Sequence, residues 1–400
     1  LLEMSALVAP RPLLIASAGL DGIFTIAAIE EFYARLKGLY RHLGRPDDID
    51  LVTFAGPHSY HEATRTGIFS WFVRHLQGGA ATPATVGDID GVRESAADLA
   101  VFKGGPPAND TATTVQDWFV EPAPPPVIED AAQLAERRGQ IVQALRATSF
   151  NALPERPAPP DVAIHQRWAE RGGTQGVRFS FASEGWRLHG SLHLPPNVST
   201  PAPVAIALQN PGDGRAQSLR ILDGLRSDWL RARIEPRGTG ETAWGSELSW
   251  HVRRAAALMG RTIASMRVAD VLAGLAAVRS LDETAGRPVA LAAEGEMAAV
   301  AIFAALLDGN VQALILKAPP ETLDAPSRPD GTGPAVELMG ALRHVDLPQA
   351  AGLLWPARLI FVQPRPASYL WCERLYARLG APGGTWRVKS LAEVAQCFEG

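Results

Sequence analysis

Residues 288–307, PVALAAEGEMAAVAIFAALL, carry the reading that decides the fold. Val289 to Ala293 is an apolar run of strand length. It passes through Glu294-Gly295-Glu296-Met297 into Ala298 to Leu307, an apolar run of helix length. A strand that leads into a helix is one step of the alternation that indicates a mainly parallel sheet.

The same order extends outward on either side. From about residue 161, Val177 to Phe181 and Trp186 to Leu194 read as a hairpin closed by Ser183-Glu184-Gly185. Strands are then expected at Val204–Leu208, Ala232–Glu235, Val289–Ala293, Ala313–Lys317, Arg358–Val362 and around Trp386–Val388. Helices are expected at Ser218–Leu230, Thr262–Leu281, Ala298–Leu307 and Tyr369–Leu379. The alternation predicts an α/β fold, a mainly parallel sheet with helices on both faces.

Residues 1–78 show the pattern in short form: strand Leu13–Ser17, helix Ile26–Leu43, strand Leu51–Phe54, helix Thr66–Leu76. Two strands and two helices close no core of their own, so this segment reads as the end of a domain. Residues 79–160 change character. Proline-rich stretches (GGPPAND, EPAPPPVIED, LPERPAPP) flank one helix, Asp130–Ala147, and the segment reads as a connector. The two ends of the chain also resemble each other. VAPRPLLIASAG…EEFYARLKG near the start has a counterpart in LWPARLIFVQPRP…CERLYARLGAP near the end. A tandem duplication accounts for this, with one partial copy (1–78) followed by one complete copy (161–400).

Composition narrows the function. Four hundred residues exceed one domain's usual length, and 46% apolar with 20% charged residues suits a chain with a sizeable core. A net charge of −4 without a basic cluster argues against nucleic acid as a partner. The two cysteines, Cys372 and Cys397, form no zinc-type spacing. The apolar run Ala298–Leu307 is too short to cross a bilayer. The sequence opens Leu-Leu-Glu and shows no signal peptide, so a leader upstream is an open expectation. With one the protein is expected to be periplasmic or secreted, and otherwise cytoplasmic.

Asp21 lies just past the first strand and His58 just past the second, in FAGPHSY (54–60). In a parallel sheet the loops past neighbouring carboxyl ends share one crevice, where ligands bind. A carboxylate there can orient an imidazole and stabilise its protonated form. A solvated loop histidine and a plain Asp-Gly turn account for the same residues. His61 is a rival base that is expected to begin the next helix and point elsewhere, whereas His42 and His75 fall at helix ends, where a cation favours the dipole.

APRPLLIASAGLDGIF, FYARLKGLYRHLG and FAGPHSYHEATRTGIFSWFVRHL together resemble the last third of an α/β-hydrolase. The resemblance is to acetyl xylan esterase and cephalosporin-C deacetylase-like carbohydrate esterases, and within them to bacterial proteins with two such domains in tandem. It implies that His58 is the triad histidine and Asp21 the triad acid. The family order is Ser, acid, His, so the nucleophile elbow belongs well upstream of Asp21. Ser17, in IASAG, is the one rival, but Ile15 replaces the first glycine of G-x-S-x-G and the serine shares a strand with the acid. The resemblance therefore implies that this chain is a C-terminal fragment holding acid and base without a nucleophile.

In the second copy the elbow position is occupied by Gly295, with Ala293 in place of the first glycine. Gln363 to Ser368 offers no acid, and no histidine follows His344, so this copy is expected to be degenerate and non-catalytic. NPGDG (210–214) stands where the family places an oxyanion amide, and EPRGTGETAWG (235–245) resembles its Arg-Gly-x-Gly-Glu turn. Neither has the glycine spacing of a dinucleotide site or P-loop. Glu294 and Glu296 flank Gly295 and are expected to diverge rather than act as a carboxylate pair. Trp244 and Trp250 are core or a sugar-binding face. The implied activity is hydrolysis of carboxylic, in particular acetyl, esters of carbohydrates, with a small-molecule or carbohydrate ester as partner and no metal or cofactor. The alternative is a non-catalytic binding or scaffolding module on the same fold.

Overall fold

The computed structural model describes residues 1–400 apart from 90–93, 113, 114, 116–118, 156, 199–201, 215, 216, 218, 326–335, 381–383, 399 and 400. Its contacts divide the chain into a first unit, 1–110, and a second, 111–400.

The first unit runs β1 (Leu13–Ala18), α1 (Ile26–His42), β2 (Ile49–Phe54) and α2 (Glu62–Gln77). β1 and β2 pair in parallel, from Leu13 opposite Ile49 to Ala18 opposite Phe54, as a two-stranded sheet. Its core is small: Leu36, Tyr40 and Ile49 are fully buried. The Tyr40 hydroxyl donates to the Arg11 carbonyl at 2.6 Å, tying α1 to the entry of β1. A cavity of about 450 Å³ lies open between β1 and α2, lined by Leu13, Leu14, Ile68, Trp71 and Phe72.

The second unit begins with α3 (Ala131–Ala147) and continues through β3 (Ala163–Ala169), β4 (Gln175–Ser183), β5 (Trp186–Leu194), β6 (Val204–Leu208) and β7 (Leu230–Glu235). It then runs α4 (Ser246–Leu258), α5 (Ile263–Arg279), β8 (Val289–Glu294), α6 (Glu296–Asp308), β9 (Ala313–Lys317) and α7 (Leu347–Gly352). β10 (Arg358–Val362), α8 (Leu370–Arg378) and β11 (Thr385–Val388) complete it. The described strands form one sheet in the order β11-β10-β9-β8-β6-β7-β5-β4-β3. β11 through β7 pair in parallel, whereas β7-β5, β5-β4 and β4-β3 are antiparallel. The sheet is therefore mixed, parallel over most of its width and antiparallel at one end. Every residue of β6 is buried. Successive side chains point to opposite faces, so full burial means that both faces are covered. No helix among the described residues is long and apolar enough to cross a membrane.

Two expectations change. The helix expected over Ser218–Leu230 starts on a residue outside the described ones; of its described part, Leu219 is helical, Arg220–Leu222 is a 3₁₀ turn, turns follow, and Leu230 already opens β7. Asp223-Gly224 breaks it. A Cβ at Gly224 would lie 1.3 Å from the Leu391 carbonyl oxygen, and the Gly224 carbonyl accepts from Ala395 N. The backbone there serves a tertiary contact instead of a helical ladder. The strand β3 and the helix α4 were not expected.

The helix read as part of a connector is built into the second unit. Leu134, Ile141 and Leu145 of α3 join that unit's core, and Asp130 caps the helix by accepting from Gln133 N. Arg138 Nη1 donates to the Trp355 carbonyl at 3.1 Å, and Arg378 Nη1 to the Ile128 carbonyl at 2.9 Å. Leu145→Ala should therefore lower the unfolding free energy of the second unit by about 2–5 kcal/mol. Arg137→Ala, on the exposed face of the same helix, should change it by no more than about 0.5 kcal/mol. Urea unfolding of the full chain measures both, and equal small effects would return the helix to a loose connector.

Candidate functional site

In the first unit the strand ladder continues past the ends of β1 and β2. Gly19 N donates to the Phe54 carbonyl at 2.8 Å and Leu20 N to the Gly56 carbonyl at 2.9 Å. The two loops are thereby clamped together just before Asp21 and His58. Asp21 closes a tight turn on itself, its Oδ1 accepting from Ile23 N at 2.7 Å and Phe24 N at 3.1 Å. Its second oxygen, Oδ2, lies 2.7 Å from His58 Nδ1. An ionised carboxylate only accepts, so Nδ1 carries the proton and Nε2 holds the free lone pair.

The pair is asymmetric in exposure. The Asp21 side chain is 5% exposed, and that of His58 is 69% exposed. The hydrogen bond from His58, followed by those from Ile23 N and Phe24 N, lowers the Asp21 carboxyl to about 2. Large apolar side chains stand exposed around it: Leu20, Ile23, Phe24 and Tyr60. His61 is set apart. It caps α2 through Nδ1, which accepts from Ala63 N at 3.4 Å, and its ring stacks on Phe54 at 4.8 Å. The structure thus brings Asp21 and His58 together and leaves His61 out.

In the second unit Gly295 sits at the junction of β8 and α6 with φ +58° and ψ −131°, a backbone state open to glycine and costly for other residues. Its N–H donates to the Lys317 carbonyl at 3.0 Å. Glu294 pairs with Lys317 at 2.9 Å, and Glu296 pairs with Arg267 on α5. The two carboxylates serve different cations, as their divergence on a tight turn predicts. In the NPGDG turn, Asn210 Nδ2 donates to Asp213 Oδ2 at 3.2 Å and Gln209 Nε2 to the Asp213 carbonyl at 2.8 Å. Among the described residues no group of three His, Cys, Asp or Glu side chains is placed to hold a metal ion.

A buried ionic cluster was missed by sequence reasoning. Asp270, fully buried on α5, accepts from Arg237 N, Nε and Nη2 and from Ser183 Oγ, at 2.6–2.9 Å. Glu184 in turn accepts from Arg237 Nη2 at 2.7 Å and Arg261 Nη2 at 2.6 Å. Burial alone would lower the Arg237 guanidinium, but its bonds to Asp270 and Glu184 outweigh that and raise it. Arg267 and Asp270 inside the apolar run of residues 263–279 were the available signal.

Among solved structures, the chain is similar to a candidate acetyl xylan esterase from Bacteroides fragilis, at 11% identity and a TM-score of 0.54, over 73% of this chain and 84% of that one. A glucuronoyl esterase from Solibacter usitatus aligns at 13% identity and a TM-score of 0.46, over 68% of this chain and 82% of that one. An acetyl xylan esterase from Paenibacillus sp. R4 aligns at 16% identity and 0.44, over 69% and 92%. At these identities the likeness concerns the fold alone, and the Bacteroides fragilis protein carries it: the chain shares an α/β fold with that protein. No family model matches the chain, and no curated protein matches it.

The Asp21 carboxyl should titrate with a midpoint near 2. In His58→Ala the midpoint should rise toward the ordinary value of about 3.9. Its folded value lies below its unfolded one, so the pair's contribution to stability is complete above about pH 4 and fades as pH falls through 2. Carbon-detected NMR of the labelled carboxyl reads both midpoints. An unchanged midpoint in His58→Ala would remove the histidine as the cause.

Proposed function

We propose that residues 1–78 are the last third of an α/β-hydrolase domain whose nucleophile elbow lies upstream of this chain. The second unit, with α3 built into its core, is then a second, complete and non-catalytic copy. The whole protein hydrolyses carboxylic esters of carbohydrates, acetyl esters foremost, through a serine acyl-enzyme. One observation carries the reading: a carboxylate and a histidine meet at 2.7 Å past the carboxyl ends of two parallel strands, with Nε2 unbonded to Asp21 and the ring exposed. The unpartnered groove beside β1 and the small core suit a domain that lacks its neighbouring strands. The Bacteroides fragilis neighbour supplies the ester class.

In this reading His58 Nε2 takes the serine hydroxyl proton as Oγ bonds to the acyl carbon. The ester C–O bond breaks, and the leaving sugar alkoxide takes that proton. Water then attacks the acyl-enzyme, gives its proton to Nε2, and the serine recovers it as acetate departs. Asp21 holds the imidazole with Nδ1–H inward and stabilises the imidazolium. The alternative, a binding or scaffolding module, is favoured by a cavity in the second unit.

This chain should hydrolyse p-nitrophenyl acetate no faster than its own His58→Ala variant, because in this reading the serine lies upstream of it. A fluorophosphonate should leave Ser17 unlabelled. Extended upstream to include its serine, the protein should gain esterase activity. Asp21→Asn should then lower kcat by about 10⁴-fold and His58→Ala by about 10⁶-fold, each with little change in KM. Undiminished turnover in either variant would end the assignment.

A further inference from the structure

Little packing holds the loop that carries His58. The histidine side chain is mostly exposed, and so is that of Tyr60 two residues on. Two hydrogen bonds from outside the loop bracket the histidine instead. Before it, Leu20 N donates to the Gly56 carbonyl at 2.9 Å; after it, Arg65 Nη1 donates to the Tyr60 carbonyl. Arg65 stands near the start of α2, and α2 is seated closely on β2. A Cβ at Gly67 would lie 3.0 Å from each Val52 methyl carbon. The donor that reaches back to the loop thus stands on a fixed support.

The rest of the guanidinium is committed to Asp88. Nε donates to Oδ1 at 2.8 Å and Nη2 donates to Oδ2, a fork on a carboxylate that fixes the guanidinium in plane as well as in place. The pairing lowers the Asp88 carboxyl and raises the Arg65 guanidinium, so both stay charged. Asp88 reaches Arg65 because the chain doubles back after α2. Gly78 ends that helix in the left-handed conformation, with φ +67°. Arg74 Nη2 then donates to the Ala81 carbonyl at 3.4 Å, and the short helix Pro83–Val86, capped by Thr82, packs along α2. Residues 79–88, which the sequence assigns to a connector, return to the loop that carries His58.

We propose that Arg65, held in its fork by Asp88, is a positioning residue for His58: it fixes the backbone just past the histidine, so that Nδ1 stays on Asp21 and Nε2 stays free. The proposal rests on reading Asp21 and His58 as the working pair of the first unit. Arg65 itself touches no reacting atom and acts through the Tyr60 carbonyl. A lysine cannot take its place, because one ammonium is a point charge and cannot hold the carbonyl and both carboxylate oxygens in a planar fork. Small errors in where a catalytic group stands are costly, which is why an exposed imidazole gains from a brace on its backbone.

The test is NMR of the full chain with labelled aspartate carboxyls and histidine ring nitrogens, in Asp88→Ala and Arg65→Lys. In each, the Asp21 midpoint should rise from about 2 by roughly one pH unit, and the His58 nitrogens should move toward the averaged shifts of exchanging tautomers. The sign separates position from charge. Removing the Asp88 anion would by itself make Asp21 easier to ionise and lower its midpoint, so a rise reports a displaced imidazole. Arg65→Lys keeps the charge and gives up the fork, and the same rise is expected there. Both side chains are partly exposed, and denaturation midpoints check that each variant folds. A midpoint that stays or falls in a folded variant would overturn the proposal and leave the ion pair a stabiliser of α2 alone. His58→Ala tests the pair without touching Arg65: an unchanged Asp21 midpoint there removes the pair, whereas an unchanged midpoint in Asp88→Ala alone removes only the brace.

Discussion

Parallel pairing is the constraint on which both units depend. Parallel strands present their carboxyl ends on one edge, and whatever follows them is forced together there. In the first unit the ladder runs on through Gly19 and Leu20, so residues 37 positions apart, Asp21 and His58, have little choice but to meet. In the second unit the same edge gathers the loops after β6, β7 and β8 around one cavity. Neither site is built on a single continuous stretch of chain. Each comes from the side-by-side order of strands, which is why the two crevices are comparable although their side chains share nothing.

The units differ in how that edge handles charge. In the first, the carboxylate has spent one oxygen on backbone N–H groups and offers the other to an imidazole that faces solvent, an arrangement able to pass a proton. In the second, the charged groups are committed to one another. Asp270 joins the turn after β7 to α5 and, through Ser183, to the end of β4. Removing one partner of such a buried pair typically costs about 3–5 kcal/mol, because the other charge is left uncompensated. The arginines around the second crevice are therefore structural members whose paired edges also form its wall.

Much of this was legible because continuous apolar runs have few readings. β9 and β10 fall on Ala313–Lys317 and Arg358–Val362, the bounds their apolar runs predict. Asp21 and His58 were legible for a related reason, since position just past a strand is enough to place a side chain at the crevice. What escaped depends on partners distant in sequence. β3, AIHQRWA, is exposed at six of its seven residues and becomes a strand only by pairing with β4. The 3₁₀ turn at Arg220–Leu222 loses its expected helix to a C-terminal segment packed on Gly224. Arg253 and Glu337 stand 84 residues apart, and no local pattern announces their pairing.

Gly295 shows how the connection between β8 and α6 constrains the residue at its turn. A strand that feeds directly into a helix must reverse within one residue, and that residue takes a positive φ whether or not it reacts with anything. For a side chain the conformation costs of order 1–3 kcal/mol, a strain that a nucleophile must be held in by its surroundings. Glycine adopts it freely. The space beside Gly295 is open, with nothing within 4 Å of an added Cβ, so sterics did not exclude a side chain there. The junction is thus fixed by the β–α connection, and glycine meets it without strain. The crevice comes from the order of strands along the sheet edge and does not depend on which side chain occupies this turn.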